Sequence, residues 1–252
     1  MISFLTLAYV FGSIQGKIIR ICIIIGLRVQ MISHLSEIFE DKETIEKIQK
    51  RLPFLFQVAE LESSRAGKVG MEVGSMGEKI LIALLIYKFG KKNVETKLPI
   101  TEPEMDVKLY GFPVSIKTIT GMGGVKIIWT VDAQKSREFR ETYTPKCDTL
   151  LANIEWDGIG NLFYIPLEVQ QRIFRNLGKE RYFNLPKAGT NPRGVEISRE
   201  ALLRLVRDPE TKSIEIEWRR SKIEYEPYQR WLDYWKKEEL PFDKKGIQTR
   251  IE

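Results

Sequence analysis

The stretch Asp106-Val107-Lys108-Leu109-Tyr110-Gly111-Phe112-Pro113-Val114-Ser115-Ile116-Lys117-Thr118 consists of two short alternating apolar runs around a glycine-containing turn. This pattern predicts a β-hairpin, because alternation with a period of two marks strands and glycine permits the tight turn between them. The hairpin places Asp106 at the start of its first strand and Lys117 near the end of its second. We therefore expect a carboxylate and an ammonium group to meet at one end of a sheet.

Upstream of the hairpin, residues 74–85 carry apolar side chains at a spacing that predicts a helix with Glu78 on it. A helix glutamate, a strand aspartate and a strand lysine suit metal-dependent cleavage of a phosphodiester. Asp106 would bind a hard cation, with the backbone carbonyl of Ile116 and the carboxylate of Glu78 as further ligands. Lys117 would orient or deprotonate the attacking water. The alternative is that Asp106 and Lys117 are only the solvated ends of an exposed hairpin.

The composition narrows the chemistry further. The 252 residues carry a net charge of +6, which fits a polyanionic partner. A single histidine, His34, excludes histidine-rich metal sites, and two cysteines cannot form a disulfide framework or a four-thiolate zinc site. We interpret both cysteines as apolar filler in the reducing cytoplasm. Hydrolysis must therefore depend on carboxylates, lysine and a hard cation such as Mg²⁺.

The first thirty residues differ from the rest. Their two apolar runs, residues 2–11 and 18–27, are too short for a membrane helix and are interrupted by Lys17 and Arg20. The basic residues follow the first run, whereas in a secretory signal they precede it. We interpret residues 1–30 as a hydrophobic extension, from an over-long reading frame or dispensable, with a membrane anchor as the alternative. Residues 31–252 then form a single domain.

The pattern of elements along that domain indicates an α/β protein with a mixed sheet. Helical spacing between residues 33 and 61, interrupted by Pro53, predicts two helices, and residues 62–74 are expected to form a loop. The later predicted elements are strand 125–130, helix 133–142, strands 148–156 and 161–166, helix 167–177, loop 184–198, helix 199–206, strand 213–218 and an aromatic, charged tail at 225–235.

The order Glu78, Asp106, Ser115-Ile116-Lys117 resembles the PD-(D/E)xK nucleases, especially type II restriction endonucleases, and its spacing is most similar to the ThaI group. The resemblance covers the chain from about residue 31. It implies a central mixed β-sheet flanked by helices. Residues 31–73 would supply N-terminal helices and a DNA-contacting loop, 74–130 the catalytic core, and 131–252 the recognition and dimerisation elements.

The sequence departs from the family pattern at two places. Two residues separate Pro103 from Asp106, and Ser115 replaces the acid of the (D/E)-x-K motif. The second change removes a metal ligand, which Glu78 can replace from its helix. Glu102 and Glu104 are rival candidates, and the alternative for both is a solvated loop before a strand.

Two segments are candidates for DNA contacts. Met71 lies in a glycine-flanked loop and is either a wedge that enters a base step from the minor groove or a side chain packed under the loop. Arg65 and Lys68 in the same loop are candidate phosphate contacts.

The second segment is the proline- and glycine-rich loop with Lys187, Asn191 and Arg193. Arginine pairs with guanine and asparagine with adenine, so this loop is expected to read bases, or else to be a solvated surface loop. The aromatic residues of the tail 225–235 are expected in the core or in a dimer interface.

Taken together, the resemblance implies a Mg²⁺-dependent type II endonuclease acting on double-stranded DNA as a homodimer. It also implies a short CG-containing palindrome, CGCG, with blunt ends, and a cognate DNA methyltransferase as functional partner. A structure-specific or repair nuclease of the same fold is an alternative. A DNA-binding module without catalytic activity is another, and Ser115 is the residue in its favour.

Overall fold

A computed structural model of the chain describes residues 34–65, 68–69, 73–98, 104–121, 123–128, 132–185 and 194–237. The hydrophobic extension, residues 1–30, lies outside the described residues. The same holds for part of the predicted DNA-contacting loop and for most of the proline- and glycine-rich loop.

After a short 3-10 helix at Glu37–Phe39, the long helix α1 spans Lys42–Ser63 and passes through Pro53. The prediction of two helices separated at Pro53 was therefore wrong. A proline inside a helix removes one backbone hydrogen bond and costs about 3 kcal/mol. Here the cost is offset by tertiary packing, because Pro53 is buried and its neighbours Leu52 and Phe56 lie in the core.

The prediction of a loop at residues 62–74 was wrong for the residues described there, which belong to α1, two strands and the next helix. Two short strands, β1 (Ser64–Arg65) and β2 (Lys68–Val69), form an antiparallel hairpin. Helix α2 follows at Val73–Phe89 and ends before Gly90, where the sequence predicted it to end. Gly90 has a φ of 84°, a conformation that glycine adopts without the steric cost of a Cβ atom.

The remaining elements alternate between strands and helices. The later helices are α3 (Ala133–Thr142), α4 (Leu167–Tyr182), α5 (Arg199–Val206) and α6 (Gln229–Trp235). The later strands are β3 (Val94–Glu95), β4 (Val107–Leu109), β5 (Phe112–Thr120), β6 (Val125–Ile128), β7 (Asp148–Ile154), β8 (Gly158–Ile165), β9 (Phe183–Asn184), β10 (Val195–Ile197) and β11 (Lys212–Trp218).

Six strands form the central sheet in the order β11-β8-β7-β5-β4-β3. Strands β5 and β7 are parallel and the other neighbours are antiparallel, so the sheet is mixed, as predicted. The predicted strand after the hairpin exists as β6, but it belongs to a second, three-stranded sheet with the order β6-β10-β9. Strand β6 pairs with β10 in antiparallel register instead of extending the central sheet.

Helices flank the central sheet on both faces. Helices α1 and α2 contribute Phe56 and Leu81 to one core, and α4 and α5 contribute Ile173 and Leu202 to the other. The adjacent residues Leu150 and Leu151 of β7 point into opposite cores, as the two-residue period of a strand requires. In the part of the chain that is described, none of the helices is both long enough and apolar enough to cross a membrane.

The aromatic tail does not join either core. Trp231 and Trp235 of α6 have exposed fractions of 57% and 88%. Of the two expectations for these side chains, the core position is therefore wrong, and the dimer interface stays a prediction. By contrast, the predicted buried cysteine is found for Cys147, which is 3% exposed.

Candidate active site at the hairpin

The hairpin brings Asp106 and Lys117 into direct contact. Lys117 Nζ lies 2.9 Å from Asp106 Oδ2, and the ammonium group is largely buried. The backbone N–H of Ile116 donates to the same oxygen at 2.6 Å, and the hydroxyl of Ser115 donates to it at 3.3 Å. The predicted meeting of a carboxylate and an ammonium group is thus confirmed, and the alternative of two solvated hairpin ends is wrong.

Local sequence explains this register. Tyr110 and Gly111 both have positive φ, 50° and 84°, which is the geometry of a two-residue hairpin turn. Tyr110 is an unusual residue for this conformation, and its ring stacks on His34 at a centroid distance of 4.5 Å. The backbone hydrogen bonds between β4 and β5 continue one residue before β4, because the backbone N–H of Asp106 donates to the carbonyl oxygen of Val114 at 3.1 Å.

Glu78 reaches the same end of the sheet from the first turns of α2. The residue before it, Gly77, packs so closely on α1 and β5 that a Cβ atom there would lie 2.7 Å from the Phe56 ring and 3.0 Å from Thr118. Burial raises the pKa of Glu78, the charge of Lys117 lowers it and that of Asp106 raises it again. The three charged groups therefore lie within electrostatic reach of one another.

Glu104 is the candidate site residue whose surroundings differ most from those that the sequence predicted. The loop before β4 is not solvated at this point, because Glu104 is largely covered and accepts a hydrogen bond from the hydroxyl of Tyr143. Burial raises its pKa to about 7, against the opposing effect of the Lys146 backbone N–H and the charge of Lys117. Its partner Tyr143 follows α3, far along the chain, so no local signal could reveal the contact.

Glu104 also lies next to the position where the family's acid is missing. A cavity of about 20 Å³, large enough for one water, is lined by Glu104, Ser115 and Lys117 together with mainly apolar side chains. Ser115 and Lys117 project from the same face of β5, because they are two residues apart in a strand. Glu104 therefore supplies a carboxyl group on the face from which Ser115 has removed one.

The donor atoms at this site fit a hard cation such as Mg²⁺. Glu78, Glu104 and Asp106 carry carboxylate oxygens, and oxygen ligands are those that Mg²⁺ prefers. Within the described ranges, no three acidic, histidine or cysteine side chains are already gathered at metal-binding distance.

The predicted DNA contacts are only partly described. Arg65 and Lys68 are opposite each other in the β1–β2 hairpin that leads to α2, and only their backbones are described. Met71, Lys187, Asn191, Arg193 and the rival acid Glu102 lie outside the described residues.

The fold and the site together have the form of a restriction-endonuclease-like nuclease, with a mixed sheet, flanking helices and a strand aspartate–lysine pair beside a helix glutamate. A solved structure described as a restriction endonuclease in complex with substrate DNA is similar to this chain. The two are 61% identical, with a TM-score of 0.76 over 80% of this chain and 98% of that chain.

The sequence profile of restriction endonuclease ThaI matches residues 38–237. The chain therefore belongs to the ThaI restriction endonuclease family and is by class a type II restriction endonuclease, as the sequence resemblance predicted. No curated protein matches it significantly.

Proposed function

We propose that this chain binds double-stranded DNA and hydrolyses one phosphodiester bond in each strand of a short CG-containing palindrome, with Mg²⁺ as cofactor. The observation that carries the proposal is the contact of Lys117 with Asp106 at the end of the hairpin, beside Glu78. The relative that is 61% identical has substrate DNA in its complex, which supports DNA as the partner.

Asp106 and Glu78 are the proposed cation ligands. All three hydrogen bonds given above for Asp106 converge on Oδ2, so Oδ1 is the proposed oxygen for the cation. The N–H of Ile116 points toward Asp106, and the N–H and C=O of a strand residue project to the same side. The Ile116 carbonyl is therefore the third proposed ligand. When bound, Mg²⁺ supplies a Lewis acid that polarises the phosphodiester and lowers the pKa of water.

Lys117 acts on the attacking water and on the phosphate. An ammonium group has three N–H donors, and the contact with Asp106 uses one of them. The other two can orient a water for attack and offset the negative charge that grows on the phosphate in the transition state. The low exposure of Lys117 strengthens this effect, because few solvent molecules screen its charge.

DNA recognition is assigned to the two loops singled out by the sequence. Arg65 and Lys68 contact phosphates, Met71 enters a base step from the minor groove, and the base-reading residues are Lys187, Asn191 and Arg193. The resemblance to the ThaI family supports the site CGCG and blunt ends. A homodimer would place one active site on each strand, and a cognate methyltransferase would protect the host DNA.

The test is incubation of a long plasmid with the purified protein and Mg²⁺, beside the variants Lys117→Ala and Asp106→Ala and a sample with EDTA. Lys108→Ala is the matched control, since Lys108 is on the same hairpin but pairs only loosely with Glu95, at 3.8 Å. We expect discrete fragments from the wild type and the control, and none from the other three samples. Sequencing of the fragment ends then gives the site and the stagger.

Other results would contradict the proposal in recognisable ways. A smear that disappears in the same variants would indicate a structure-specific or repair nuclease. A salt-sensitive gel shift without cleavage would indicate a DNA-binding module, which Ser115 in the acid position makes the second candidate.

A further inference from the structure

An arginine stacked on a tryptophan lies at one end of the central sheet, in a segment to which the proposed function assigns no role. The guanidinium of Arg220, just after β11, lies over the ring of Trp156 at 4.3 Å from the ring centroid. Its Nη1 also donates to Glu60 Oε2 at 2.7 Å. The other oxygen of Glu60 accepts from the indole N–H of Trp156 at 2.6 Å, so the three side chains hold one another in place.

This arrangement presents a cation to solvent instead of burying it. The side chain of Arg220 is 45% exposed, whereas that of Glu60 is 14% exposed. A guanidinium group has five N–H donors, and the hydrogen bond to Glu60 uses one of them. Other donors can bind an anion from solvent. An arginine that is already held by a ring and a carboxylate loses little side-chain freedom when it does so.

The strand pairing shows at which end of the sheet Arg220 lies. Strands β5 and β7 are parallel, and their last residues, Thr120 and Ile154, are paired with each other. Trp218, the last residue of β11, is paired with Gly158, which directly follows the β7–β8 turn. Arg220 therefore lies at the end of the sheet where β5 and β7 end.

The predicted DNA-contacting hairpin lies at this end as well. Helix α1 reaches it with Glu60, and α2 starts there, because the hydroxyl of Thr118 donates to the carbonyl of Gly74 at 3.4 Å. The β1–β2 hairpin joins these two helix ends. Neighbouring strands are about 4.8 Å apart, so the three steps from β5 to β11 span about 14 Å. A duplex that lies along this end with one phosphate at Lys117 therefore brings further phosphates to Arg220 within half of its helical turn of about 34 Å.

The charged neighbours of Arg220 limit where an anion can approach. Arg219 is paired with Glu217 of β11 at 2.5 Å. Glu155 and Asp157 are exposed carboxylates on the β7–β8 turn, and they repel a phosphate from the tip of that turn. An anion therefore approaches this part of the surface on the side of Arg220.

We propose that Arg220 binds a phosphate of the DNA backbone, and that Glu60 and Trp156 are positioning residues that hold its guanidinium ready for this contact. The inference rests on the proposed function, since DNA is the partner proposed there. It extends the DNA-contacting surface from the β1–β2 hairpin to the end of β11. A phosphate contact carries no base information, so Arg220 contributes to the binding of every sequence and to the register of the duplex on the site.

The first test measures binding of the full chain to the cognate duplex and to an unrelated duplex over a range of salt concentrations. An Asp106→Ala background prevents cleavage. Arg220→Gln should weaken binding to both duplexes about tenfold at low salt, and reduce the slope of log affinity against log salt by about 0.9. Arg220→Lys keeps the charge and should restore the slope, with an affinity between those of the background protein and the glutamine variant. An unchanged slope in Arg220→Gln would overturn the proposal.

Two control variants separate a phosphate contact from a structural tie between the segment after β11 and α1. Arg172 is also paired with a carboxylate, at 2.8 Å, and is 39% exposed, but its partner Asp208 precedes the start of β11, at the opposite end of the sheet. Gln57 ties Ser221 to α1 without a charge, through hydrogen bonds of 2.9 and 2.7 Å. Arg172→Gln and Gln57→Ala should both leave the salt slope unchanged. A reduced slope in Arg172→Gln, or a loss of affinity in Gln57→Ala equal to that in Arg220→Gln, would overturn the proposal.

Cleavage separates this inference from the proposed function. In the chain with Asp106 intact, Arg220→Gln should raise the KM for DNA about tenfold, with a much smaller effect on the rate at saturating DNA. Cleavage with the same KM in both proteins would overturn the phosphate contact and leave the nuclease intact. A wild type that binds DNA through Arg220 but does not cleave it would support the contact and overturn the nuclease.

Discussion

Gly77 lies so close to the ring of Phe56 that no side chain fits between them. A Cβ atom on Gly77 would lie 2.7 Å from Phe56 Cε1, well inside ordinary contact distance. Gly77 belongs to α2 and Phe56 to α1, so this contact fixes how near the start of α2 approaches β5. Because Glu78 is the next residue, the same contact positions its carboxylate.

Gly77→Ala should therefore impair cleavage through Glu78. The added methyl group must displace Phe56 or the start of α2, with an overpacking cost of about 1–3 kcal/mol. A displacement of about 1 Å at a ligand lowers the rate on the order of 100-fold. Single-turnover cleavage and urea unfolding measure the two effects.

Gly74→Ala is the control for this change, because no atom lies within 4 Å of a Cβ atom at Gly74. It should leave cleavage unchanged and stabilise α2 by up to about 1 kcal/mol. Equal losses of activity in both variants would show that helix composition, and not the contact with Phe56, matters.

Ser115→Asp restores the acid of the family motif and should link stability to Mg²⁺. The new carboxylate would lie beside Asp106 and Glu104, so we expect the metal-free protein to lose thermal stability through like-charge repulsion. Mg²⁺ would relieve that repulsion and stabilise the variant more than the wild type. Melting curves with Mg²⁺ and with EDTA measure the difference.

Ser115→Ala is the matched control, since it removes only a hydrogen bond of 3.3 Å, at a cost of about 0.5–1.5 kcal/mol. If the aspartate variant responds to Mg²⁺ no more than the alanine variant, position 115 does not face the cation.

Glu104→Gln should change how stability depends on pH. Burial raises the pKa of Glu104 from 4.5 to about 7, so the folded protein holds this proton more tightly than the unfolded chain. Between these two values the folded state binds more protons, and stability from this group falls as pH rises, by up to about 3 kcal/mol. The glutamine variant cannot ionise and should lack this decline.

Urea unfolding in metal-free buffer at pH 5 and pH 8 measures the effect. We expect the variant to equal the wild type at pH 5 within the small cost of the substitution, and to exceed it at pH 8. The same pH dependence in both proteins would mean that Glu104 ionises freely in the folded state.

Arg193→Ala and Lys68→Ala should weaken DNA binding in different ways. A phosphate contact acts on every sequence, so Lys68→Ala should weaken all duplexes and reduce the slope of log affinity against log salt by about 0.9. A base contact acts on the cognate site, so Arg193→Ala should cost about 1–3 kcal/mol there and little elsewhere.

These affinities are best measured in an Asp106→Ala background, which prevents cleavage. The duplexes are the site found by end-sequencing and a version with one base pair changed. If Lys68→Ala abolished the preference for the cognate duplex, Lys68 would contact a base. If Arg193→Ala weakened binding to both duplexes equally, Arg193 would contact a phosphate.

The parts of the site that could be predicted are those set by neighbouring residues. The turn at Tyr110 and Gly111 determines the hairpin register, and that register alone brings Lys117 to Asp106. The helix of Glu78 and its end at Gly90 follow from apolar spacing and a glycine, both of which are local signals. The same local patterns predicted the mixed α/β fold.

Other features depend on residues far apart in the chain, and only the tertiary structure decided them. Helix α1 continues through Pro53 because the core on that side of the sheet compensates the lost hydrogen bond. Glu104 is covered because Tyr143 arrives from the end of α3, and β6 joins a second sheet because it pairs with β10, about seventy residues later in the chain. The sequence by itself thus determined the short-range chemistry of Asp106 and Lys117. Burial, helix continuity and strand partners were decided by packing, since their free energies come from contacts that no local pattern encodes.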